Sequence, residues 1–426
     1  MFYNLRALHQ VMRDVKLSRS ELDKLIHKRL RDVLVSAYLH VPYYREVMQS
    51  VGYDPIQEYR GPEDLSRLPI TTKKVLKQRG ITAFVREDSD LSRCFSDSTS
   101  GATGIPTRVY RDPYERAVQI AKWLRVLFVN GYSIRHKVMA PTGPGRLKEG
   151  RSIVRKFGIL RRLTVDYVHH SPEEMVDILL AYKPDVLYGN RSHLDLMALD
   201  LKRRGIQHKG LKLLLGGAEV IHDSNRQLYR KHFGVELVES YGSVEMGVMA
   251  HETPARDGLH LCEGLTYFEF LDQDGKPVPP GEPGKVIVTD LIGKLMPFIR
   301  YDQGDLAIFK HADGTNGSSV RRLTQIMGRD SDYALLPDNT RCPLYVFSIL
   351  IKKSEGIMQF RVVQKTRSRF QILIVADTDY FLSIRDDLLH RLQREFPPTV
   401  SFEIVQVERL EPDPSGKLKL LVSEVE

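Results

Sequence analysis

At 426 residues the chain exceeds the roughly 250–300 residues over which a single hydrophobic core keeps growing, so more than one domain is expected. Apolar residues at 42% and charged residues at 27% are ordinary for a globular protein, and no run of about 18 apolar residues is present to cross a membrane. The net charge of +9 suits anionic small substrates, and Cys94, Cys262 and Cys342 are too far apart for a Cys-x-x-Cys zinc site or a disulfide framework.

The opening "MFYNLRALHQVMRDVK" lacks an apolar stretch with a cleavage site, so a cytoplasmic protein is expected. The first predicted element starts at Ser18, which stands at capping-box spacing from Glu21. Leu22, Leu25, Ile26, Leu30, Val33, Leu34 and Ala37 then form one apolar face, a packing helix without chemistry. A second short helix follows Pro42. The loop "STSGATGIPT" (98–107) lies between strand-like "RCFS" and helical "YERAVQIAKWLRVLF". From about 136 to 240, short runs ("KVMAP", "LTVDYV", "DVLYG", "KLLLGG", "VELVESYG") alternate with helical stretches ("SPEEMVDILLAYK", "SHLDLMALDLKRRG"), a rhythm that predicts a largely parallel sheet. Residues 264–310 turn to antiparallel β, with "DQDGKP" as a hairpin signal. After "GRDSD" (328–332) three strands and the helix "FLSIRDDLLHRLQREF" form a small α+β unit ending on a polar tail.

The fold class expected is therefore α/β. A large domain over 1–328 combines parallel α/β sheets with an antiparallel portion, and a small α+β lid covers 329–426. Basic runs at 155–162 and 202–204 lack interleaved aromatics and read as solvated surface, so neither nucleic acid nor a membrane is expected as a partner. "HHSPEEM" (169–175) reads as a helix start capped by Ser171, and "GPGRLKEG" (143–150) misses dinucleotide spacing.

Several stretches pair a structural reading with a chemical one. The loop 98–107 is a linker or a phosphate cradle, because glycines let amides approach an anion and hydroxyls donate to its oxygens. "GAE" (217–219) and "YGSVE" (241–245) follow strands directly, where α/β sheets bind ligands. Asp305 in "RYDQGDL" follows a glycine turn and suits a ribose diol. Arg329 in "GR" offers a fixed cation or a hinge. Lys417 in "PSGK" is a solvated lysine or a mobile ammonium.

Taken in order, these motifs resemble the adenylate-forming superfamily of acyl-CoA synthetases, adenylation domains and luciferases. "ITTKKVL", "YGSVEMGVMAHE", "PGEPGKVIVTDLIGKLMPFIRYDQGD" and "IMGR" resemble its phenylacetate–CoA ligase and CapK-like branch. The resemblance implies ATP held by Thr99, Ser100, Gly101, Thr103 and Gly104. Gly217, Ala218 and Glu219 with Tyr241 would frame adenine, and Gly242 and Ser243 would border the acyl group. Glu245 would bind Mg²⁺, Asp305 and Arg329 would hold the ribose, and Lys417 would reach the reacting carboxylate and α-phosphate. Ile105, Val244 and Ser331 depart from the branch, removing respectively a loop lysine, a phosphate-contacting hydroxyl and the common hinge residue. Where relatives carry cysteines this chain keeps His260, and no zinc is expected.

The activity implied is adenylation of a carboxylic acid, an aryl acid being allowed, and acyl transfer to a thiol such as CoA. Transfer to a carrier protein or an amine is the near alternative, and a catalytically degenerate nucleotide-binding homologue the more distant one. A homodimer is also compatible with the resemblance.

Overall fold

A computed structural model describes residues 2–98, 108–142, 161–167, 169–312, 319–352, 354, 356–376, 378–413 and 418–425. The chain begins with helix α1 (Phe2–Asp14), which the sequence reading did not single out. Helix α2 (Arg19–His40) starts as expected: the Ser18 hydroxyl accepts from the Glu21 amide while the Glu21 carboxylate accepts from the Ser18 amide. The predicted face is buried through Leu22, Ile26, Leu30, Val33, Leu34 and Ala37. Helices α3 (Pro42–Ser50) and α4 (Lys73–Arg79) follow, with Pro42 in the first turn of α3 and Thr72 capping α4. Strands β1 (Phe95–Ser98) and β2 (Arg108–Arg111) pair antiparallel before helix α5 (Pro113–Val129), capped by Asp112 with Glu115.

The alternating region yields β3 (Val138–Thr142), β4 (Arg162–Asp166), α6 (Pro172–Tyr182), β5 (Val186–Asn190), α7 (Arg191–Arg203), β6 (Leu213–Gly217), α8 (Asp223–Phe233) and β7 (Leu237–Ser243). Ser171 caps α6 in a full capping box with Glu174, as read from the sequence. The antiparallel region holds β8 (Gly247–His251), β9 (Leu259–Leu261), β10 (Thr266–Leu271), β11 (Pro283–Asp290), β12 (Tyr301–Lys310) and β13 (Arg322–Arg329). Beyond it lie β14 (Tyr333–Leu335), β15 (Arg341–Pro343), α9 (Leu344–Lys352), β16 (Ile357–Thr366), β17 (Arg369–Ala376), α10 (Thr378–Glu395), β18 (Ser401–Gln406) and β19 (Leu421–Ser423).

Contacts divide the chain into two units. The first joins Met1–Asn130 to Ser240–Ile326. Antiparallel pairings join β10 to β11, β11 to β12, β13 to β9, β9 to β8 and β8 to β7. Its core gathers Leu30, Tyr44, Phe84, Phe268, Phe298 and Tyr301, while Ala7 and Val11 of α1 pack on Ala117, Val118 and Ala121 of α5.

The second unit joins Gly131–Glu239 to Met327–Glu426. It contains four parallel strands in the order β6-β5-β3-β4, packed through Leu187, Leu194, Met197, Leu214 and Tyr229. It also contains the sheet β18-β17-β16-β19, whose own core includes Phe347, Ile372, Leu388 and Leu392. Arg203 and Arg204 of the 202–204 basic run pair with Asp200, Arg204 also with Asp177.

Three local readings are refined. The "DQDGKP" turn forms, with the Asp272 amide donating to the Lys276 carbonyl at 2.8 Å, but the partner strand resumes only at Pro283. Asp305 follows a glycine turn set within β12: the Gly304 amide donates to Asp302 Oδ1 at 2.7 Å, Gly304 takes φ +70°, and the pairing with β11 slips between Lys285 and Ile287. A bulge of this kind re-aims a side chain without ending the strand. The tail is more than polar, because Leu421–Ser423 pairs in parallel with Val362–Gln364. Among the described residues no helix is long and apolar enough to cross a membrane.

Candidate active site

In the first unit, β7 and β8 form a hairpin whose turn carries "YGSVE". The Ser243 hydroxyl accepts from the Met246 amide at 3.1 Å, and Gly247 takes φ +66°. Gly242 faces that turn so closely that a Cβ there would stand 2.3 Å from the Gly247 carbonyl oxygen, so only glycine fits.

Two motifs far apart in sequence meet here. Tyr241 donates its hydroxyl to Asp305 Oδ2 at 2.7 Å, and Tyr301 donates its hydroxyl to Glu245 Oε1 at 3.0 Å. Each motif thus lends its tyrosine to the other's carboxylate. Tyr241, Tyr301 and Glu245 are all buried, so these charge-assisted bonds act where water screens little.

The backbone of the turn is held by cations the sequence reading did not name. Arg111 donates through Nη2 to the Val244 carbonyl and, at 3.0 Å, to the Glu245 carbonyl. Lys122 Nζ donates to the next carbonyl, Met246, at 2.9 Å. Arg111 is fixed in turn by Asp97 at 2.9 Å. Burial pushes the Lys122 ammonium pKa down. The available signal was local: Lys122 and Arg125 interrupt the otherwise apolar "AVQIAKWLRVLF".

Glu115 closes the same region. Its Oε1 accepts from the Lys294 and Leu295 amides at 2.6 and 2.9 Å, and its Oε2 accepts from the Asp112 amide at 3.1 Å. With Arg111, Glu245, Asp290 and Gly293 it lines a void of ≈ 10 Å³, about the room of one water. Burial, aided by the Asp112 charge, pushes the Glu115 carboxyl up to about 7. A carboxyl raised in the folded state stabilises fully below its unfolded value near 4.5, and that contribution is lost as pH rises through about 7. Thermal unfolding midpoints should therefore fall between pH 5 and about 8, by the equivalent of roughly 3 kcal/mol. Glu115→Gln should flatten that slope; an unchanged slope in the variant would refute the assignment.

His260 donates through Nε2 to Asp257 Oδ1 at 2.7 Å, and Asp257 also pairs with Arg322. His251, which the sequence reading passed over, is driven to about 3 by burial and by Arg125, and so stays neutral. Among the described residues no group of three His, Cys, Asp or Glu is placed to hold a metal by itself.

In the second unit, β6 ends at Gly217 and Ala218 takes φ +65°, a conformation sparsely populated by residues with a Cβ. That turn delivers Glu219 to the start of α7. Glu219 Oε2 accepts from the Ser192 amide at 2.9 Å and Oε1 from the Ser192 hydroxyl at 2.5 Å, with Arg191 Nη2 at 3.3 Å. Gly328, at φ +114°, precedes Arg329 at the end of β13, and open space surrounds the position its Cβ would take. Thr99, Ser100, Gly101, Thr103, Gly104, Ile105 and Lys417 lie outside the described residues.

No protein-family model matches the chain. A phenylacetate–coenzyme A ligase of Thermus thermophilus is 27% identical over 385 residues, covering 88% of this chain and 85% of that one. A phenylacetate–coenzyme A ligase of Escherichia coli is 28% identical over 330 residues, covering 75% and 74%. Among solved structures, 2-hydroxyisobutyryl-CoA ligase in its postadenylation state, in complex with 2-HIB-AMP, superposes with a TM-score of 0.80 at 20% identity, covering 97% of this chain and 91% of that one. Anthranilate CoA ligase in complex with anthranoyl-AMP superposes with a TM-score of 0.55 at 12% identity, covering 84% and 73%. The chain is thus similar to the phenylacetate–coenzyme A ligases over most of its length, and its fold is that of the adenylate-forming acyl-CoA ligases.

Proposed function

We propose that the protein activates a carboxylic acid with ATP and passes the acyl group to a thiol such as CoA. The observation that carries this reading is the reciprocal pairing of Tyr241 with Asp305 and Tyr301 with Glu245. It builds one rigid, acid-bearing corner from two motifs, in a chain similar over most of its length to phenylacetate–CoA ligases. Names and ligands of the relatives, acyl-adenylates and CoA among them, support the same reaction.

In the proposed sequence a carboxylate oxygen attacks the α-phosphorus, forming an O–P bond as pyrophosphate leaves. The thiol then attacks the acyl carbon of the resulting mixed anhydride and AMP leaves. Thr99, Ser100, Gly101, Thr103 and Gly104 cradle phosphates. Gly217, Ala218 and Glu219 frame adenine with Tyr241, and Asp305 and Arg329 hold the ribose. Gly242 and Ser243 border the acyl group, and Lys417 binds the two reacting anions. The small segment 329–426 then moves about Gly328 and Arg329 to admit the thiol.

Glu245 suits Mg²⁺ in kind: a hard carboxylate oxygen that lines the void, fixed by Tyr301 and by a turn clamped to Arg111 and Lys122. One carboxylate completed by phosphate oxygens and water is a common magnesium site. When bound, Mg²⁺ supplies charge neutralisation on the phosphate oxygens. The chain's own residues orient the acid, hold the nucleotide and keep Glu245 aimed.

The test is acid-dependent exchange of labelled pyrophosphate into ATP, screened over an acid library that includes phenylacetate. Exchange with at least one acid, abolished by EDTA and restored by Mg²⁺, is the expected result. ATP binding by calorimetry without exchange on any acid would instead favour a degenerate nucleotide-binding homologue, for which Val244 and Ser331 are the sequence support. CoA, a pantetheinylated carrier protein and amines, offered side by side to the adenylate, identify the acceptor.

A further inference from the structure

The second unit contains a polar junction in which Glu219, proposed above to frame adenine, also meets Ser192 and the C-terminal segment. The Leu418 amide donates to Glu219 Oε1 at 2.8 Å and to the Ser192 hydroxyl at 2.9 Å. With Arg191 and the Ser192 hydroxyl also on Oε1 and the Ser192 amide on Oε2, the Glu219 carboxylate receives four donors, three of them on one oxygen. Arg191 and Ser192 are 1% exposed and Leu418 is 5% exposed, so the bonds form away from bulk water. Leu418 directly follows Lys417 in sequence and leads into β19, which pairs with β16.

A second contact lies one turn along the same helix. Asp195 Oδ2 accepts from Gln359 Nε2 of β16 at 3.4 Å, and Gln359 Oε1 accepts from the Leu410 amide at 3.2 Å. Asn225 Nδ2 reaches both Asp195 Oδ1, at 2.9 Å, and the Met358 carbonyl, at 3.4 Å. Ser192 and Asp195 of α7, Glu219 of the β6–α8 loop and Asn225 of α8 therefore receive the C-terminal segment at two places, 358–359 and 418. Hydrogen bonds to charged groups are worth more than those between neutral ones, and beside them Met358 packs on the cluster of Leu194 and Leu214 and Phe360 stacks on His222 at 5.8 Å.

We propose that Ser192 and Glu219 form a latch for the Leu418 amide, and that this latch positions the tail bearing Lys417 for acid activation but not for thiol transfer. Ser192 is then a positioning residue acting through the tail. The inference rests on the activity proposed above, yet the latch itself has a readout independent of it.

Hydrogen–deuterium exchange of the peptide 418–423 reads the latch directly. Ser192→Ala and Glu219→Gln should each speed that exchange by about tenfold, the equivalent of one net hydrogen bond to a charged group. Peptides of β17 should exchange as in the parent. On activity, Ser192→Ala should lower kcat for pyrophosphate exchange by about tenfold with KM for ATP nearly unchanged. Thioester formation from synthetic phenylacetyl-adenylate and CoA should hold, and Ser192→Thr should restore exchange. Unaltered deuterium uptake at 418–423 in both variants overturns the latch whatever the enzyme does. Equal loss in both half-reactions overturns the positioning role. A parent protein that exchanges pyrophosphate with no acid overturns the activity reading alone, and deuterium uptake then still decides the latch.

Discussion

Lys417→Ala is expected to lower acyl-adenylate formation by roughly 10²–10³-fold, the usual cost of removing one preorganised charge from a site of developing negative charge. An acid and a triphosphate repel each other before they react. At 4 Å, two unit charges repel by about 4 kcal/mol at an effective dielectric near 20. An ammonium placed between them reverses that sign and adds most where charge builds on the α-phosphate. The loss should appear in pyrophosphate exchange, in kcat more than in KM for ATP, because the interaction strengthens toward the transition state. Thermal unfolding should match the parent, and thioester formation from supplied phenylacetyl-adenylate should survive. Undiminished exchange in Lys417→Ala would remove the residue from the mechanism.

Arg300→Ala is expected to destabilise the first unit by about 3–5 kcal/mol, as uncovering a buried carboxylate does. Arg300 opens the "RYDQGD" motif, and its contacts are with groups of the protein itself. Its guanidinium holds Glu269 at 2.9 Å through Nη2 and 3.1 Å through Nε, and donates to the Leu68 carbonyl at 2.5 Å. Its amide donates to the Thr289 hydroxyl at 3.0 Å, and its φ of +46° is a conformation that residues with a Cβ seldom take. Burial raises the Glu269 carboxyl and Arg300 opposes that rise, so deleting the arginine leaves the acid unpaired in a poor solvent. Denaturant unfolding should show the loss. Arg300→Met combined with Glu269→Leu should recover most of it, since neither charge then remains buried. A cost below about 1 kcal/mol for the single change would contradict this account.

Helix α2 with its capping box, the Ser171 cap and the alternation that yields four parallel strands were legible because each rests on neighbours a few residues apart. A period of 3.6 or 2, a cap and a glycine leave their trace in a short window. Helix α1 and strand β19 left weak traces. One hides its apolar side among polar residues until Ala7 and Val11 meet α5; the other is three residues long and exists through its pairing with β16.

The sequence by itself determined which residue types stand ready, "YGSVE", "RYDQGD" and "GAE", and their order. Tertiary structure alone decided their partners. Tyr241 finds Asp305 across 64 residues, Arg111 reaches Glu245 across 134, and Leu418 reaches Ser192 across 226. A hydroxyl, a guanidinium or an amide carries no local mark of the distant oxygen it will bind. That choice is made by the sheets that bring them within 3 Å, under the cost of leaving any buried donor or acceptor unpaired.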